Sequence, residues 1–455
     1  MRPHLGRLSH RRKGTARLVD DEGKRLGRRD IFQATAQYGL AVPTAYLLAG
    51  NVKADATPMA YGSADDLASP EREAKIRIVR DFADPYVELL RLVRDATEIE
   101  HALMLQYLYA AFTVKPKYKR LAGDPGTQNA TTLVGVAIQE MQHLAVVNGL
   151  LVALGGAPNL IVQEFPFDPD IYPFAFNLEP LSRAGLARYV FAEAPAGVLD
   201  WEQPKGGDVA FVDAVWSLLG PEARVNHLGS LYMQIIAVTR EVQASGTPGL
   251  PDLTPWIAKL EAVMKQGEVD HYHFFRSVFM GTHGAFKGQA DIWDLSPLDP
   301  AYPAMPIETN PSAYVGHPRE IRNPTALSLA WLGNLHYWTV LCLLDLHFRE
   351  NSAEMLTMAE VHMQGPLWSI GKHLPTLGVG LPFDPLGPGY ACGRDGVCNR
   401  KFVLHLLGEA ERLEKELDSK LPPAFPAGVT EFTSATLQKE VQQADAASKG
   451  ASGRG

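Results

Sequence analysis

Residues 136–154 read VAIQEMQHLAVVNGLLVAL, a largely apolar helix pattern that carries a carboxylate and an imidazole inside it. Glu140 and His143 are three positions apart, so a helix places both on one face. A second Glu-x-x-His pair, Glu268 and His271, lies far downstream in another long apolar stretch. Two such pairs on separate helices form the larger part of the ligand set of a dinuclear carboxylate site in a four-helix bundle. The sequence therefore predicts a metal site.

The composition is that of a soluble globular protein, with 46% hydrophobic and 21% charged residues in a chain of 455. This length exceeds one bundle and indicates two or three units. The net charge of −8 argues against nucleic acid as a partner. Three cysteines, Cys342, Cys392 and Cys398, exclude a disulfide scaffold and a cysteine zinc site. Cys392 and Cys398 could close a small loop or remain free thiols.

Residues 1–56 resemble an export signal. Arg28 and Arg29 begin a twin-arginine-like motif, a mildly apolar run follows at 34–50, and Ala54-Asp-Ala offers a cleavage site. The alternative is a disordered basic N-terminus followed by an ordinary helix. The run is too short and too polar for a membrane span, and we expect no other segment to reach about 18 apolar residues. We expect a periplasmic or secreted protein, or otherwise a cytoplasmic one.

Helix signals indicate an all-α protein. Four long helices are expected in residues 81–290, the first begun by Asp84 and Pro85 and the second by Thr132. A long crossover, rich in aromatic residues and proline, separates the second helix from the third. The other segments that we expect are a linker at 57–80, a Pro-rich connection at 291–325, a C-terminal helical part at 326–421 and a disordered tail at 422–455.

The first long helix offers a further ligand. Glu100 and Tyr107 lie two turns apart and share a face. Glu100 is expected to be a metal ligand, and Tyr107 is expected to act near it as a proton or electron donor. Glu98 and His101 form a rival Glu-x-x-His pair, but Glu100 lies on the continuous apolar face of this helix, which favours it.

The third long helix lacks the expected carboxylate. Ser230 stands where a glutamate would be wanted, with His227 and Gln234 one turn to either side. A hydroxyl is a poorer ligand for Fe(II) or Mn(II) than a carboxylate. The sequence therefore predicts one well-bound metal and leaves a second one open.

Histidines in the C-terminal part lack this pattern. No pair among them has the Glu-x-x-His spacing, so we interpret them as ordinary core or surface residues. They are His336, His347, His362 and His373.

A family resemblance rests on five segments in chain order: EIEHALMLQYLYA, IQEMQHLAVVNGLLVALGGAP, FAEAP, HLGSLY and GEVDHYHFF. They resemble the ferritin-like family named for iminophenyl-pyruvate dimer synthases, well over residues 81–280 and loosely beyond. The resemblance implies a ferritin-like four-helix bundle that binds iron or manganese. The implied ligands are Glu100, Glu140, His143, Glu268 and His271. Glu193 in FAEAP matches a Glu-x-Pro that recurs in the family, whereas Ser230 departs from the family's Gly-Glu-aromatic-Tyr pattern.

The residues and the resemblance together favour a metal-dependent oxidoreductase that acts on a small organic substrate with dioxygen or peroxide. The alternatives are a non-enzymatic metal-binding or storage protein of the envelope and a degenerate bundle kept as a scaffold. We expect a monomer or small homo-oligomer. The aromatic connection Phe165–Phe176 is expected to line a substrate pocket.

Overall fold

The structure is a computed structural model that describes residues 78–126, 129–169, 171–195, 197–200, 208–220, 228–289, 291–387, 392–393 and 395–452. The expected export signal lies outside these residues, as does nearly all of the expected linker. The described residues form helices and loops, with two isolated β-bridges and no strand among them. The prediction of an all-α protein is therefore confirmed.

The chain is organised as thirteen described α-helices, two of which continue into a neighbour through a π turn. The α-helices are α1 Pro85–Thr113, α2 Lys119–Ala122, α3 Leu133–Ala153, α4 Arg183–Glu193, α5 Val209–Leu219, α6 Leu228–Ser245, α7 Thr254–Gln266, α8 Tyr272–Phe279, α9 Pro324–Glu350, α10 Ala353–His362, α11 Trp368–His373, α12 Gly396–Leu417 and α13 Val429–Ser452. The π turns are Gly267–His271, between α7 and α8, and Met363–Leu367, between α10 and α11. Short 3-10 turns lie at Pro116–Tyr118, Gly284–Phe286, Ile292–Asp294, Leu374–Leu377 and Asp418–Lys420.

Side-chain caps fix where the bundle helices begin. The Asp84 carboxylate accepts hydrogen bonds from two backbone N–H groups in the first turn of α1, and Pro85 occupies its first position. The Thr132 hydroxyl accepts from the Gly135 N–H at the start of α3. The Ser182 hydroxyl does the same for the Gly185 N–H of α4. The predicted starts of the first two long helices are confirmed.

Four long segments form the bundle: α1, α3, α6 and the run from α7 through the π turn into α8. Helix α1 packs against α3 and α6, and α7 packs against α6 and α3, which closes the ring. The crossover between α3 and α6 carries α4 and α5, and α4 packs against α8. The π turn was not predicted, because a 3.6-residue periodicity does not show where one extra residue enters a helical turn.

Two helices have the length and hydropathy of membrane spans. They are α3 and α9, and 56% and 72% of their most apolar windows are buried inside the protein. Neither helix was expected from the sequence, because neither contains about 18 consecutive apolar residues. Burial of this extent is typical of core helices, and α3 in addition carries Glu140 and His143 into the interior.

The C-terminal part packs on the bundle through α9, which contacts α3, and α11, which contacts α1. The expected disordered tail is wrong over Val429–Ser452, which is helix α13 packed against α12 and α10. Its buried positions, 430, 433, 434, 437 and 441, follow helical spacing. Most of them are threonine or serine, so the stripe is weakly hydrophobic and the composition alone indicated disorder.

The three cysteines are free thiols. Cys342 is buried in α9, and its thiol is in hydrogen-bond contact with that of Cys392. Of the two alternatives for Cys392 and Cys398, the structure therefore has free thiols.

Candidate metal centre

Glu140 lies at the centre of a buried cluster of carboxylates and imidazoles. Its Oε2 is 3.0 Å from His143 Nδ1, one turn along α3, and its Oε1 is 2.8 Å from His271 Nδ1, across the bundle. The two imidazole rings stack with centroids 5.4 Å apart and an interplanar angle of 26°. Ligand atoms of these three residues all lie within 4.8 Å of one another. The two Glu-x-x-His helices therefore converge, as the sequence predicted.

The cluster fits a metal ion. Glu140 Oε1 and His271 Nδ1 are fully buried, and among the described residues neither has a hydrogen-bond partner, although they approach to 2.8 Å. Glu100 Oε2 is likewise buried and has no hydrogen-bond partner among the described residues. Two donor atoms bound about 2.1 Å from one metal at a right angle would lie about 3 Å apart. Buried polar atoms without partners are costly, and a shared cation would satisfy them.

Glu100 approaches the cluster from α1. Its Oε2 is 3.4 Å from His143 Nδ1, and its Oε1 accepts a hydrogen bond of 2.5 Å from the Tyr232 hydroxyl on α6. The rival pair lies elsewhere: Glu98 accepts from the backbone N–H of Phe167, and His101 contacts the Tyr337 hydroxyl. Of the two alternatives on α1, the structure therefore directs Glu100, and not the Glu98 and His101 pair, toward the cluster.

A fourth carboxylate comes from Glu193, the last residue of α4. Its Oε2 is 3.5 Å from His271 Nδ1, and its Oε1 accepts a hydrogen bond of 2.7 Å from the Tyr107 hydroxyl. From the sequence, this carboxylate was expected on the third long helix, where Ser230 stands, and Glu193 was recognised only as part of the family's Glu-x-Pro. The available signal was the FAEAP segment, in which a glutamate ends a short helix inside the crossover.

Space for the Glu193 carboxylate is provided by Gly267 in the π turn. A Cβ placed on Gly267 would lie 2.9 Å from Glu193 Oε2, closer than real Cβ atoms approach an oxygen. The π turn therefore positions His271 and at the same time leaves room for the carboxylate beside it.

Glu268 lines a small cavity beside the cluster, together with Glu100, His143, Glu193 and Tyr232. It remains outside the closest group of Glu140, His143 and His271. The cavity has a volume of about 20 Å³, and one water needs roughly 10–15 Å³. It therefore accommodates a species the size of water or dioxygen.

The aromatic connection does not line this cavity in its described part. Phe165 and Phe167 are exposed, while Tyr172 and Phe176 are buried and stack on each other. The expectation that residues 165–176 line a pocket at the site therefore has no support here.

The carboxylates of the cluster differ in the direction in which their pKa values are shifted. Burial, and then the Glu140 charge, raise the pKa of Glu100 to about 8. Burial and Glu140 also raise the pKa of Glu193. Although burial opposes it, the two imidazoles hold the pKa of Glu140 well below its ordinary value. Glu140 and Glu193 in turn overcome burial and raise the pKa of His271 to about 9. Burial and the charge of Glu140 thus disfavour the ionised forms of Glu100 and Glu193, and a bound cation would offset this cost.

Comparison with known proteins finds similarity over the bundle. Residues 93–255 match the family model described as Ferritin-like, and the match ends before the second Glu-x-x-His pair. The chain is 34% identical over 133 residues to dichlorochromopyrrolate synthase from Lentzea aerocolonigenes, covering 24% of this chain and 13% of that protein. It is 34% identical over 137 residues to 2-imino-3-(indol-3-yl)propanoate dimerase from Chromobacterium violaceum, with the same two coverages of 24% and 13%. The alignments thus span about an eighth of these relatives. No solved structure matches significantly.

Proposed function

We propose that the protein is a metal-dependent oxidoreductase. It would act on a small organic substrate with dioxygen or peroxide. The proposal is supported by the match of residues 93–255 to the ferritin-like model and by the partial similarity to a synthase and an imine dimerase. The observation that carries the proposal is the convergence of Glu140, His143 and His271 within 4.8 Å in a buried core. The resemblance drawn from the sequence agrees with these comparisons.

We propose that the centre is dinuclear. Four carboxylates, those of Glu100, Glu140, Glu193 and Glu268, share the site with His143 and His271. Two divalent cations would neutralise four ionised carboxylates, whereas one would leave two negative charges buried, at a high cost. Glu140 faces both histidines, so it would hold metal together with each of them. Iron or manganese suits this set of oxygen and nitrogen donors.

When bound, such a metal would supply the activation of dioxygen or peroxide. The chain's own residues prepare the site for it. Tyr107 donates to Glu193 and Tyr232 donates to Glu100, so each hydroxyl orients one carboxylate. The Tyr107 hydroxyl is fully buried, and burial followed by the Glu193 charge raises its pKa well above the ordinary value, so it keeps its proton at neutral pH. Tyr107 is therefore proposed as the proton donor next to the centre.

The first experiment is metal analysis. The full chain is reconstituted anaerobically with Fe(II) or Mn(II), freed of excess metal by desalting, and analysed by mass spectrometry of the elements. We expect two metal ions per chain. Failure to retain any iron or manganese would overturn the proposal.

The number of ions is tested with Glu193→Ala and, as the matched control, Ser230→Ala. If Glu193 supplies the fourth carboxylate, Glu193→Ala lowers the stoichiometry from about two ions to about one, while Ser230→Ala keeps the wild-type value. If only Ser230→Ala loses an ion, the assignment of Glu193 is contradicted and the fourth ligand lies on the third long helix.

The substrate class is proposed from the relatives. One relative is named as a dimerase of 2-imino-3-(indol-3-yl)propanoate, an α-imino acid, and the other as a synthase of dichlorochromopyrrolate. We propose a small α-imino acid as the first substrate to test here, bound outside the cavity of about 20 Å³, which is too small for it. Dioxygen uptake by the iron-loaded protein should depend on the imino acid. Uptake that oxidises only Fe(II) and leaves the organic compound unchanged would favour the storage alternative.

Export through the twin-arginine route is a further proposal, based on Arg28, Arg29 and the run at 34–50. Fractionation of cells that express the full chain and an Arg28→Lys/Arg29→Lys variant tests it. We expect the first in the periplasm and the second in the cytoplasm. Equal distribution of the two would contradict export.

A further inference from the structure

Each histidine of the centre forms a hydrogen bond, through the ring nitrogen that faces away from the cluster, with a glutamine of the opposite helix. His271 Nε2 is 2.8 Å from Gln139 Oε1, and His143 Nε2 is 2.9 Å from Gln266 Oε1. Gln139 directly precedes Glu140 on α3, and Gln266 is the last residue of α7. Helix α3 thus supports the histidine of the π turn, and α7 supports the histidine of α3.

We infer that Gln139 and Gln266 are positioning residues for the metal centre, a reciprocal pair that fixes the tautomer of the two histidines and tunes the bound metal. The inference rests on the proposed function, since it needs a metal at the centre.

Geometry determines which way each proton points. Both Nδ1 atoms face carboxylate oxygens inside the cluster, His143 at 3.0 Å from Glu140 and His271 at 2.8 Å from Glu140. An imidazole that binds a metal through Nδ1 keeps its proton on Nε2 and must donate it. The carbonyl oxygen of each glutamine is the acceptor for that proton. The hydrogen bond is therefore in place before the metal binds.

The chemistry of an amide differs from that of a carboxylate at this position. Metal-ligating histidines commonly donate to a carboxylate, a backbone carbonyl or water, and a carboxylate makes the ligand more basic. Glutamine accepts the hydrogen bond without adding negative charge to a centre that already has Glu100, Glu140 and Glu193. The imidazoles therefore remain neutral metal ligands. With glutamine partners, the lower oxidation state of the metal is favoured more than it would be with carboxylate partners. The reduction potential of the bound metal should therefore be higher with the two glutamines than with carboxylates at these positions.

The test uses two kinds of substitution at each position. Gln139→Met and Gln266→Met remove the acceptor at similar volume, and Gln139→Glu and Gln266→Glu keep the acceptor but add a charge. Gln142→Met is the matched control, because Gln142 lies on the same helix between Glu140 and His143 and does not line the cavity.

Affinity for Fe(II) is measured by competition with a chelator, and the reduction potential by spectroelectrochemistry. We expect each methionine variant to weaken metal binding roughly 10–100-fold, the typical effect of losing such a partner. We expect each glutamate variant to keep the affinity but lower the potential, and Gln142→Met to match the wild type. The glutamate variants also serve as the conservative rescue, which a role in packing alone would not produce.

The reciprocity has its own readout in the Co(II)-loaded protein. Paramagnetic NMR should show two exchangeable imidazole Nε2–H resonances in the wild type. Gln139→Met should shift one of them and Gln266→Met the other. If the methionine variants keep the wild-type affinity and both resonances while the wild type binds metal, the pair has no positioning role and the proposed function stands. If the wild type binds no metal, both proposals fall together.

Discussion

The part of the chain that the structure describes has two buried histidine pairs, and their rings are arranged almost alike. In the bundle, His143 and His271 stack with centroids 5.4 Å apart at 26°. In the C-terminal part, His336 and His362 lie 5.2 Å apart at 39°. All four rings are buried. Their surroundings nevertheless give them different chemistry.

The difference lies in what faces Nδ1. In the bundle, each Nδ1 faces a carboxylate, and the pKa values of both histidines are raised despite burial. In the C-terminal part, the two Nδ1 atoms face each other at 3.0 Å, and His362 Nε2 contacts the Thr433 hydroxyl. Burial lowers the pKa of His336 to about 3. A carboxylate is near this pair as well, since Glu414 Oε1 lies 3.6 Å from His336 Nε2, but it faces the other ring nitrogen. Carboxylates at both Nδ1 atoms therefore distinguish the candidate metal centre from this hydrogen-bond network.

The largest effect is expected from Glu140→Ala. Glu140 faces both histidines of the bundle pair, so its loss should weaken metal binding by more than about 100-fold, since loss of an outer partner alone typically costs 10–100-fold. Elemental analysis after desalting should find almost no metal. Glu360→Gln, which changes a buried carboxyl of the C-terminal part, is the control and should keep the wild-type content. Full metal retention by Glu140→Ala would remove the distinction between the two pairs.

His362→Ala tests the second pair. The substitution leaves a cavity and removes the partners of His336 and Thr433, so the free energy of unfolding should fall by about 3 kcal/mol. Metal stoichiometry should not change. Chemical denaturation and elemental analysis on the same sample check both statements, and a loss of metal without a loss of stability would contradict them.

Glu360 on α10 gives the C-terminal part a pH dependence. Burial raises its pKa to about 7, and among the described residues its Oε2 has no hydrogen-bond partner. Between the ordinary value near 4.5 and about 7, the folded state keeps a proton that the unfolded state loses, so stability falls as pH rises through this range. Glu360→Gln should remove this loss. Relative to the wild type, its free energy of unfolding should be about 2 kcal/mol more favourable at pH 8 than at pH 5. Denaturation of both proteins at the two pH values measures it; an equal pH dependence would count against it.

The smallest effect is expected from Tyr232→Phe. It removes one hydrogen bond to Glu100 and should weaken metal binding by about 1 kcal/mol, or roughly fivefold. Tyr337→Phe is the control, because that hydroxyl contacts His101 and not the cluster. Chelator competition compares the two variants, and equal affinities would mean that Tyr232 does not support the centre.

Much of the bundle could be predicted from local sequence. Asp84, Pro85 and Thr132 are short-range capping signals, and the apolar face of α1 decided between Glu100 and Glu98. The convergence of the two Glu-x-x-His pairs followed from helix periodicity together with the rule that a bundle directs such pairs inward.

The rest depended on tertiary contacts. Glu193 enters from a short crossover helix, and no periodicity links position 193 to the bundle core. The π turn changes helical phase locally, and the weakly hydrophobic stripe of α13 is stable only because α12 and α10 cover it. The partner of each Nε2 is a glutamine of another helix, which spacing along one helix cannot reveal.

Gly267 has a consequence for how this bundle can vary. Its φ of −58° is an ordinary helical value that any residue adopts, so the backbone does not require glycine there. The requirement comes from the Glu193 oxygen, which occupies the space of a side chain. A methyl group at position 267 would press on the Glu193 oxygen, so that carboxylate would have to move, while the helix that carries position 267 would stay unchanged. In a bundle of this kind, the place of a carboxylate beside the centre can depend on a residue that offers no ligand atom.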